Sequence, residues 1–508
     1  MKPVASAEKS KLIDKAVMED LRLSSGPLMM ENAARSCFEI IKNHYGLGFR
    51  NCLVLCGVGN NGGDGFALAR LLSEYFPITI YVIGDLSKMS EETKANFEFA
   101  KNNRNKIVIQ HFSDENQISS ANFDFELIID ALVGVGGGEE LRGLVVPLLK
   151  KANQANSVKI AIDVPTGLNS TTGKFHPDVF RASSTITMFC KKRAMLDKSL
   201  SPIFGEIFVA YLGFDSSLVL YQINEWEIEP QDYSLLHTIS VDANKYDYGK
   251  IALVAGSRHY PGAAAIASNA AVASGAGLVH LFSTAFHPQL KPEVIHNNLL
   301  PDDDGFIAYS ENYISQLIHE LSQFDVVAIG PGLGASENTL KTVEKLLLNL
   351  KTKIILDADA LRIVPKLNKL GKNVIITPHL GEFSRILGVS KADILQNKHT
   401  FIKEFCEKYE TNLLLKGSTT IVSDGSNFYY STSGNCGLAS GGTGDALTGI
   451  ISAFAVRSDS LAIAGAIAAF IHGLSADLYA REYSTESVTA SEVINYLGKA
   501  IRCARNEI

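Results

Sequence analysis

The residues best suited to chemistry stand near the C-terminal end, in Ser440-Gly441-Gly442-Thr443-Gly444-Asp445-Ala446-Leu447-Thr448-Gly449. Leu447, Ile450, Ile451 and Phe454 follow at spacings of three and four, which predicts a helix beginning at or just after Asp445. A Gly-rich turn feeding a helix start offers free amides and the positive end of the helix dipole, and so suits a phosphate. A carboxylate inside such a site is repelled by bound phosphate unless it has a task. The natural task is to take a proton from an attacking hydroxyl. The plainer reading is a helix-capping aspartate, and the density of glycine argues against it.

A second constellation lies in the first half. Asn51–Cys56 reads as a buried strand and runs into Gly57-Val58-Gly59-Asn60-Asn61-Gly62-Gly63-Asp64-Gly65, with helical spacing at Leu68, Leu71, Leu72 and Tyr75. Strand, Gly-rich loop and helix open a Rossmann-like unit. The G-x-G-x-x-G string is a weak signal alone, and the acidic residue that should follow the second strand is represented only by Asp85, somewhat late. Asn60, Asn61 and Asp64 add oxygens that a plain dinucleotide turn does not need and that suit a hard cation. The competing reading is an Asn/Gly turn tied by side-chain-to-backbone bonds. Further strands are expected at Phe125–Leu132, Lys159–Val164, Thr185–Phe189 and Ile207–Tyr211. Two of them end in polar tips, at Asp130-Ala131-Leu132-Val133-Gly134 and at Asp163-Val164-Pro165-Thr166-Gly167. Ligands of open α/β sheets bind beyond the carboxyl ends of strands, so Asn61, Asp130, Asp163 and Thr166 are expected to converge on one crevice.

These groups need scaffolds. At 508 residues the chain is too long for one core. Hydrophobic residues at 46% and charged residues at 20% describe an ordinary globular protein. A net charge of −7, with no basic run beyond Lys191-Lys192-Arg193, argues against nucleic acid as a partner. Seven scattered cysteines, an odd number without zinc-like spacing, suggest reduced thiols and a cytoplasmic protein. The first residues lack an apolar core of the signal-peptide kind. The most apolar segment, Ile463 to Tyr479, carries His472 and Asp477 and reads as a buried helix, so no membrane partner is expected. The α/β rhythm lapses from about Asp215 to Thr238. Two doubly wound α/β domains are therefore expected, at 1–222 and 235–508, with a linker at the polar stretch Asn224–Asp232.

The second domain repeats the pattern of strand and polar tip. Its tips are Gly256-Ser257-Arg258-His259-Tyr260-Pro261-Gly262, Gly330-Pro331-Gly332-Leu333-Gly334, Asp357-Ala358-Asp359, Thr377-Pro378-His379-Leu380-Gly381-Glu382 and Lys416-Gly417-Ser418-Thr419-Thr420. The last resembles a phosphate- or ribose-binding turn but is no Walker A loop. His379 divides evenly between a structural and a functional reading. Asp357 and Asp359 read as caps or fold support, and Cys436 has no partner that marks it as a nucleophile.

The first-half stretches GVGNNGGDG, DALVGVGGG and DVPTGLN resemble the signatures of the NAD(P)H-hydrate epimerase family, over roughly Ser10 to Phe214. The resemblance implies a Rossmann-like three-layer sandwich. It also implies a potassium ion on Asn61, Asp130 and Thr166, and substrate along Asn60, Asn61, Gly62, Gly63, Asp64, Gly134, Val135, Gly136, Gly137, Gly138, Glu139, Glu140 and Asp163. Thr166 stands where the family commonly has Ser, and Arg193 and Ala194 replace its usual Pro and Gly beside Lys192. The second-half stretches GSRHYPGAA, GPGLG, DADAL, TPHLGE, KGSTT and GGTGDALTG resemble the ADP-dependent NAD(P)H-hydrate dehydratases of the ribokinase-like superfamily, over roughly Asp242 to Arg502. By that likeness Ala263, Gly332, His379 and Asp445 contact the hydrate. Lys416, Gly417, Ser418, Thr419, Thr420 and Gly444 contact the adenine nucleotide.

The implied function is repair of hydrated NADH and NADPH (NADHX and NADPHX). Epimerisation at C6 would use Asp163 as proton shuttle. ADP-dependent dehydration would use Asp445 as base, with Mg2+ assisting. A homo-oligomer is expected. The competing readings are a small-molecule kinase, because related folds share G-x-G-D, and a first domain kept only as a nucleotide-sensing module.

Overall fold

The computed structural model describes residues 1–20, 26–103, 106–214, 216–238, 240 and 242–506. The chain forms two compact units. One spans Pro3–Ile223, and the other spans Asn224–Ile508 together with Met1–Lys2.

The first unit is organised by a seven-stranded sheet, in the order Ile107–Phe112, Ile78–Ile83, Cys52–Cys56, Leu127–Ala131, Val158–Ile162, Ser184–Met188, Glu206–Ala210. Every pair is parallel. Strands buried on both faces are nearly all apolar, which is why Cys52–Cys56 and Leu127–Ala131 carry runs rather than alternation. The order reverses direction between these two strands, so a crevice opens at their carboxyl ends. Ile107–Phe112 is missing from the expected strands. It lies at the sheet edge and alternates buried and exposed residues over a short span.

The second unit has a sheet ordered Val294–Asn298, Leu278–Ser283, Lys250–Val254, Val326–Ile329, Lys353–Leu356, Val374–Ile376, Asn412–Leu415, Thr420–Ser423, Phe428–Ser431, Glu225–Glu227. It is parallel as far as Asn412–Leu415 and then turns antiparallel through two hairpin-like pairings. Its switch point lies between Lys250–Val254 and Val326–Ile329. The stretch expected as a linker is instead part of this unit, and the boundary falls at Ile223/Asn224. Glu225–Glu227 pairs in parallel with Phe428–Ser431, and Tyr430 donates to the buried Glu225 carboxylate (2.5 Å). Its polar residues mark an edge strand with buried partners, which composition alone cannot tell from a linker. The expected start of the lapse, Asp215, lies outside the described residues.

The helix Leu461–Glu482 is long and apolar enough to cross a membrane by composition, and it is the core helix of this unit, with Ala466, Ala468 and Ile471 fully buried. Small residues set the packing beside it. The helices Pro261–Ala273 and Thr443–Val456 approach so closely at Gly449 that a Cβ there would lie 2.1 Å from the Ala267 carbonyl oxygen. Gly449→Ala is expected to force these helices apart and cost about 1–3 kcal/mol, read as a lower denaturation midpoint.

Candidate active sites

In the first unit the helix Asn60–Leu72 begins inside the stretch that reads as a loop. The glycines explain the difference: a Cβ at Gly62 would lie 1.9 Å from the Gly57 carbonyl oxygen, so bare backbone lets the helix start lie on the strand end. Gly59 caps this helix without a side chain, which leaves first-turn amides available to an anion. A cleft of about 980 Å³ opens there.

Asn60, Asn61, Asp64, Val135, Gly136 and Asp163 line the cleft, together with Lys192, which stands there from the strand Lys191–Lys192. Asp163 sits at φ +65°, a conformation that costs a non-glycine residue roughly 1 kcal/mol. It is pinned there on every side. Its backbone N–H donates to the Ile186 carbonyl (2.7 Å), Val135 N–H donates to Oδ2 (2.8 Å), and Lys192 Nζ lies 3.1 Å from Oδ1. Lys192 is itself buried and donates to Thr187 Oγ1 (2.8 Å) and the Met188 carbonyl (2.9 Å). Burial pushes the Asp64 carboxyl well above its ordinary range, and Asp163 and Asp14 push it further.

Asp130 and Thr166 meet behind the cleft, both buried. The Thr166 N–H and hydroxyl each donate to the Asp130 carboxylate at 2.8 Å, and Leu132 N–H donates to it at 3.1 Å. Burial raises the Asp130 carboxyl to about 6 against these hydrogen bonds. Asn61 and Asp163 converge on Gly134, where a Cβ would lie 3.0 Å from the Asn61 side-chain carbon and 3.1 Å from Asp163 Oδ2. The Asn61 side-chain nitrogen is buried without a partner. Gly63 packs against Met30 and Thr93. Glu139 accepts from Asn169 (3.1 Å), and Glu140 pairs with Arg142 at 3.4 Å on the surface. Gly62, Gly63, Gly134, Gly137, Gly138, Glu139 and Glu140 are not in the cleft wall.

In the second unit the helix that carries Asp445 runs Thr443–Val456, two residues earlier than its apolar spacing predicts. Gly442 at φ +86° turns the chain, and the Thr443 hydroxyl donates to the Leu438 and Ser440 carbonyls (2.8 and 2.9 Å), so the turn closes before Asp445. A cavity of about 390 Å³ is lined by Tyr260, Ala263, Phe306, Gly332, Gly334, Ala335, Asp359, Arg362 and Asp445. Burial, with Asp357 and then Asp359 adding to it, raises the Asp445 carboxyl to about 7 against the pull of Lys416. A group poised there exchanges protons readily at neutral pH.

Lys416 ties the neighbouring tips together. Its Nζ donates to Asp357 Oδ1 (2.9 Å), the Thr448 hydroxyl donates to Asp357 Oδ2 (2.7 Å), and a Cβ at Gly444 would lie 3.3 Å from that Nζ. The ammonium therefore stands at the N-terminal end of the Asp445 helix. Burial alone would push the Asp357 carboxyl up, but the Lys416 ammonium and the hydrogen bonds around it hold it below its ordinary value. Lys416 is bridged to His379 in parallel fashion, and its N–H donates to the Pro378 carbonyl (2.9 Å). His379 caps the helix Leu380–Leu387 through Nδ1, which accepts from Gly381 N–H (2.9 Å) and Glu382 N–H (3.2 Å). It is outside the cavity wall. Gly417 and Ser418 are exposed beside it, and Thr419 and Thr420 are half-buried.

Sequence reading missed Asp14, Tyr260, Phe306, Asp359 and Arg362 as site residues. Phe306 lies in an irregular loop, pinned by Asp302, whose N–H donates to the Phe306 carbonyl (2.7 Å) and whose carboxylate accepts the Phe306 N–H (2.9 Å). No periodicity marks such a residue.

A Rossmann-ordered unit and a mixed α/β unit, each with acidic groups at its switch point, define a two-site α/β enzyme. Residues 27–194 match the family model described as YjeF-related protein N-terminus, and residues 251–499 match that of NAD(P)H-hydrate dehydratase. The chain is 33% identical over 491 residues to the bifunctional NAD(P)H-hydrate repair enzyme of Dictyoglomus turgidum, covering 93% of both chains. It is 30% identical over 517 residues to that of Thermofilum pendens, covering 99% of this chain and 97% of the other. The ADP/ATP-dependent NAD(P)H-hydrate dehydratase of Bacillus subtilis, co-crystallized with ATP/Mg2+, is 28% identical at a TM-score of 0.46, over 54% of this chain and 96% of that one. The chain belongs to the bifunctional NAD(P)H-hydrate repair enzyme family. The expected fold class, two doubly wound α/β domains with a Rossmann-like sheet in the first, is the one found.

Proposed function

We propose that the second unit dehydrates the S form of hydrated NADH and NADPH at the expense of ADP, and that the first unit interconverts the R and S forms. The observation that carries the reading is the half-buried Asp445 carboxyl, raised to about 7, in a cavity at the switch point with Lys416 beside its helix start. Asp445 takes the proton from the C6 hydroxyl, which attacks the terminal phosphoryl of ADP. The amides of Gly442–Gly444 and the Lys416 ammonium hold the phosphoryl charge during transfer. Phosphate then leaves C6 with the C–O electron pair, C5 loses a proton to water and the C5–H pair forms the C5=C6 bond, so that NAD(P)H, AMP and phosphate result. Ala263, Gly332 and His379 would border the hydrate, and Lys416–Thr420 and Gly444 the nucleotide.

Among the described residues no group of three or more His, Cys, Asp or Glu forms a metal cage. That suits Mg2+ carried on the nucleotide's phosphates, where it would neutralise phosphoryl charge. In the first unit Asn61, Asp130 and Thr166 fit a potassium ion. All three offer buried oxygens, and the unpartnered Asn61 nitrogen leaves that amide able to turn its oxygen inward. Such an ion would order the strand tips around Asp163. The odd number of cysteines, seven, scattered without zinc-like spacing, favours a reducing compartment, the cytoplasm.

The test supplies the purified chain with both hydrate epimers, with ADP, with ATP or with neither, and follows NADPH absorbance. ADP-dependent recovery of both epimers is expected. Recovery of the S form alone would leave the first unit as a sensing module. Phosphorylated product without NADPH would make the second unit a kinase.

A further inference from the structure

The strand Lys2–Ala5 pairs in parallel with Lys191–Lys192, so that Ala5 stands opposite Lys192. The helix Ala7–Asp20 follows at once, and its Ala7 N–H donates to Thr171 Oγ1 (2.8 Å). Ser10, Asp14 and Met18, spaced four apart, form one face of that helix and line the first-unit cleft with Asp163 and Lys192. An acidic side chain is thus placed in the cleft from an element that carries none of the Gly-rich signatures. The epimerisation already proposed needs an acid to expel the hydroxyl from one face and a base to bring in water on the other. Asp163, ion-paired to Lys192 and fixed by Val135 N–H, supplies one carboxylate.

We propose that Asp14 is the proton donor of the first unit's cleft, a catalytic residue acting opposite Asp163 in epimerisation. This rests on the epimerase reading above. The Asp14 carboxylic acid gives its proton to the C6 hydroxyl, the C–O bond breaks with its electron pair, and water leaves. The neighbouring ring nitrogen shares its lone pair with the now planar C6. Water adds to the other face, forming the new C–O bond, and its proton passes to the Asp163 carboxylate. A proton returning from Asp163 to Asp14 through solvent resets the site, so nothing is consumed. Burial raises the Asp14 carboxyl to about 6, with Lys192 lowering it and Asp163 raising it. Asp64 faces it as well, and Lys11 stands on its own helix. Of the elements packed on that helix, the turn Gly134–Gly136 has no ionisable side chain, and Ser216–Tyr221 has only the exposed Tyr221.

The experiment compares the full-length chain with Asp14→Asn and Asp14→Glu, measuring R-to-S conversion by chiral separation and, separately, ADP-dependent dehydration of the pure S form. Asp14→Asn is expected to lower the epimerase kcat at least about 100-fold with KM nearly unchanged, and to leave dehydration intact. Asp14→Glu recovers part of the rate. In the wild type, epimerase kcat/KM falls as pH rises through about 6, because the acid must be protonated, and Asp14→Asn lacks this limb. Retention of the epimerase kcat by Asp14→Asn within about threefold, or loss of kcat with the pH limb unchanged, overturns the proposal. If Asp163→Asn also epimerises at the wild-type rate, the epimerase reading of the cleft fails with it. A lower melting temperature with full kcat counts as a purely structural role and overturns it too.

Discussion

Asp445→Asn is expected to abolish ADP-dependent dehydration, by about 10³-fold or more, while the first unit still converts R to S. The amide keeps the shape and hydrogen bonding of the carboxyl but cannot take a proton, so loss of rate with ADP still bound isolates the chemical step. The pH dependence has a definite sign. As the proposed base, Asp445 would work ionised, so dehydration should rise with pH through about 7 in the wild type. Stability should move the other way. A carboxyl raised from 3.8 to about 7 on folding holds its proton more tightly in the native state, so stability is lost progressively as pH climbs from the lower value to the higher. Asp445→Asn cannot ionise and escapes that loss. It should melt higher than the wild type at pH 8, with the gap closing near pH 4. A variant that keeps ADP-dependent turnover would remove Asp445 from the mechanism. One that melts no higher at pH 8 would show that its ionisation is not costly.

Lys416→Met should have the largest effect on stability. It leaves Asp357, only 1% exposed, as a buried carboxylate with the Thr448 hydroxyl but no cation. Breaking such a pair by removing one partner costs about 3–5 kcal/mol. The chain's single tryptophan, Trp226, belongs to the second unit, so its fluorescence during urea unfolding reads this loss locally. The KM for ADP should rise as well, because the ammonium stands at the start of the Asp445 helix. The double variant Asp357→Asn, Lys416→Met separates the two roles. It removes the stranded charge and should recover much of the stability while ADP binding stays weak. If stability and ADP binding recovered together, Lys416 would serve only to balance Asp357.

How much of this was legible beforehand depended on how local each signal is. Asp445 stands in a dense run of glycine and small polar residues, which declares itself because few other environments need bare backbone beside a carboxylate, and Asp163 stands at the end of an apolar strand just before Pro165, Thr166 and Gly167. The strands near the sheet centres were legible for the same reason: burial on both faces demands apolar runs such as Cys52–Cys56 and Val326–Ile329. Edge elements were not. Glu225–Glu227 looks like a linker until Phe428–Ser431 pairs with it, and Ile107–Phe112 carries the exposed Gln110 and His111 at the sheet edge, which breaks its apolar run. The helix starts at Asn60 and Thr443 fall earlier than the apolar spacing predicts, since glycine reads as a breaker unless the close approach it permits is known.

The sequence by itself determined the two α/β domains and the family, and it set Asp163 and Asp445 in stretches that line the two cavities, because these rest on residues contiguous in the chain. Only the tertiary structure decided which distant groups share those sites. Lys192 pairs with Asp163 because the strand Lys191–Lys192 runs beside the cleft, and Asp14 joins them because the first strand pairs with that one. Asp357 is no mere cap but the buried counter-ion of Lys416, and His379, of even standing as a ligand, caps a helix outside the cavity wall. Pairings between residues far apart along the chain are settled by sheet order and burial, which no spacing along a single strand or helix contains.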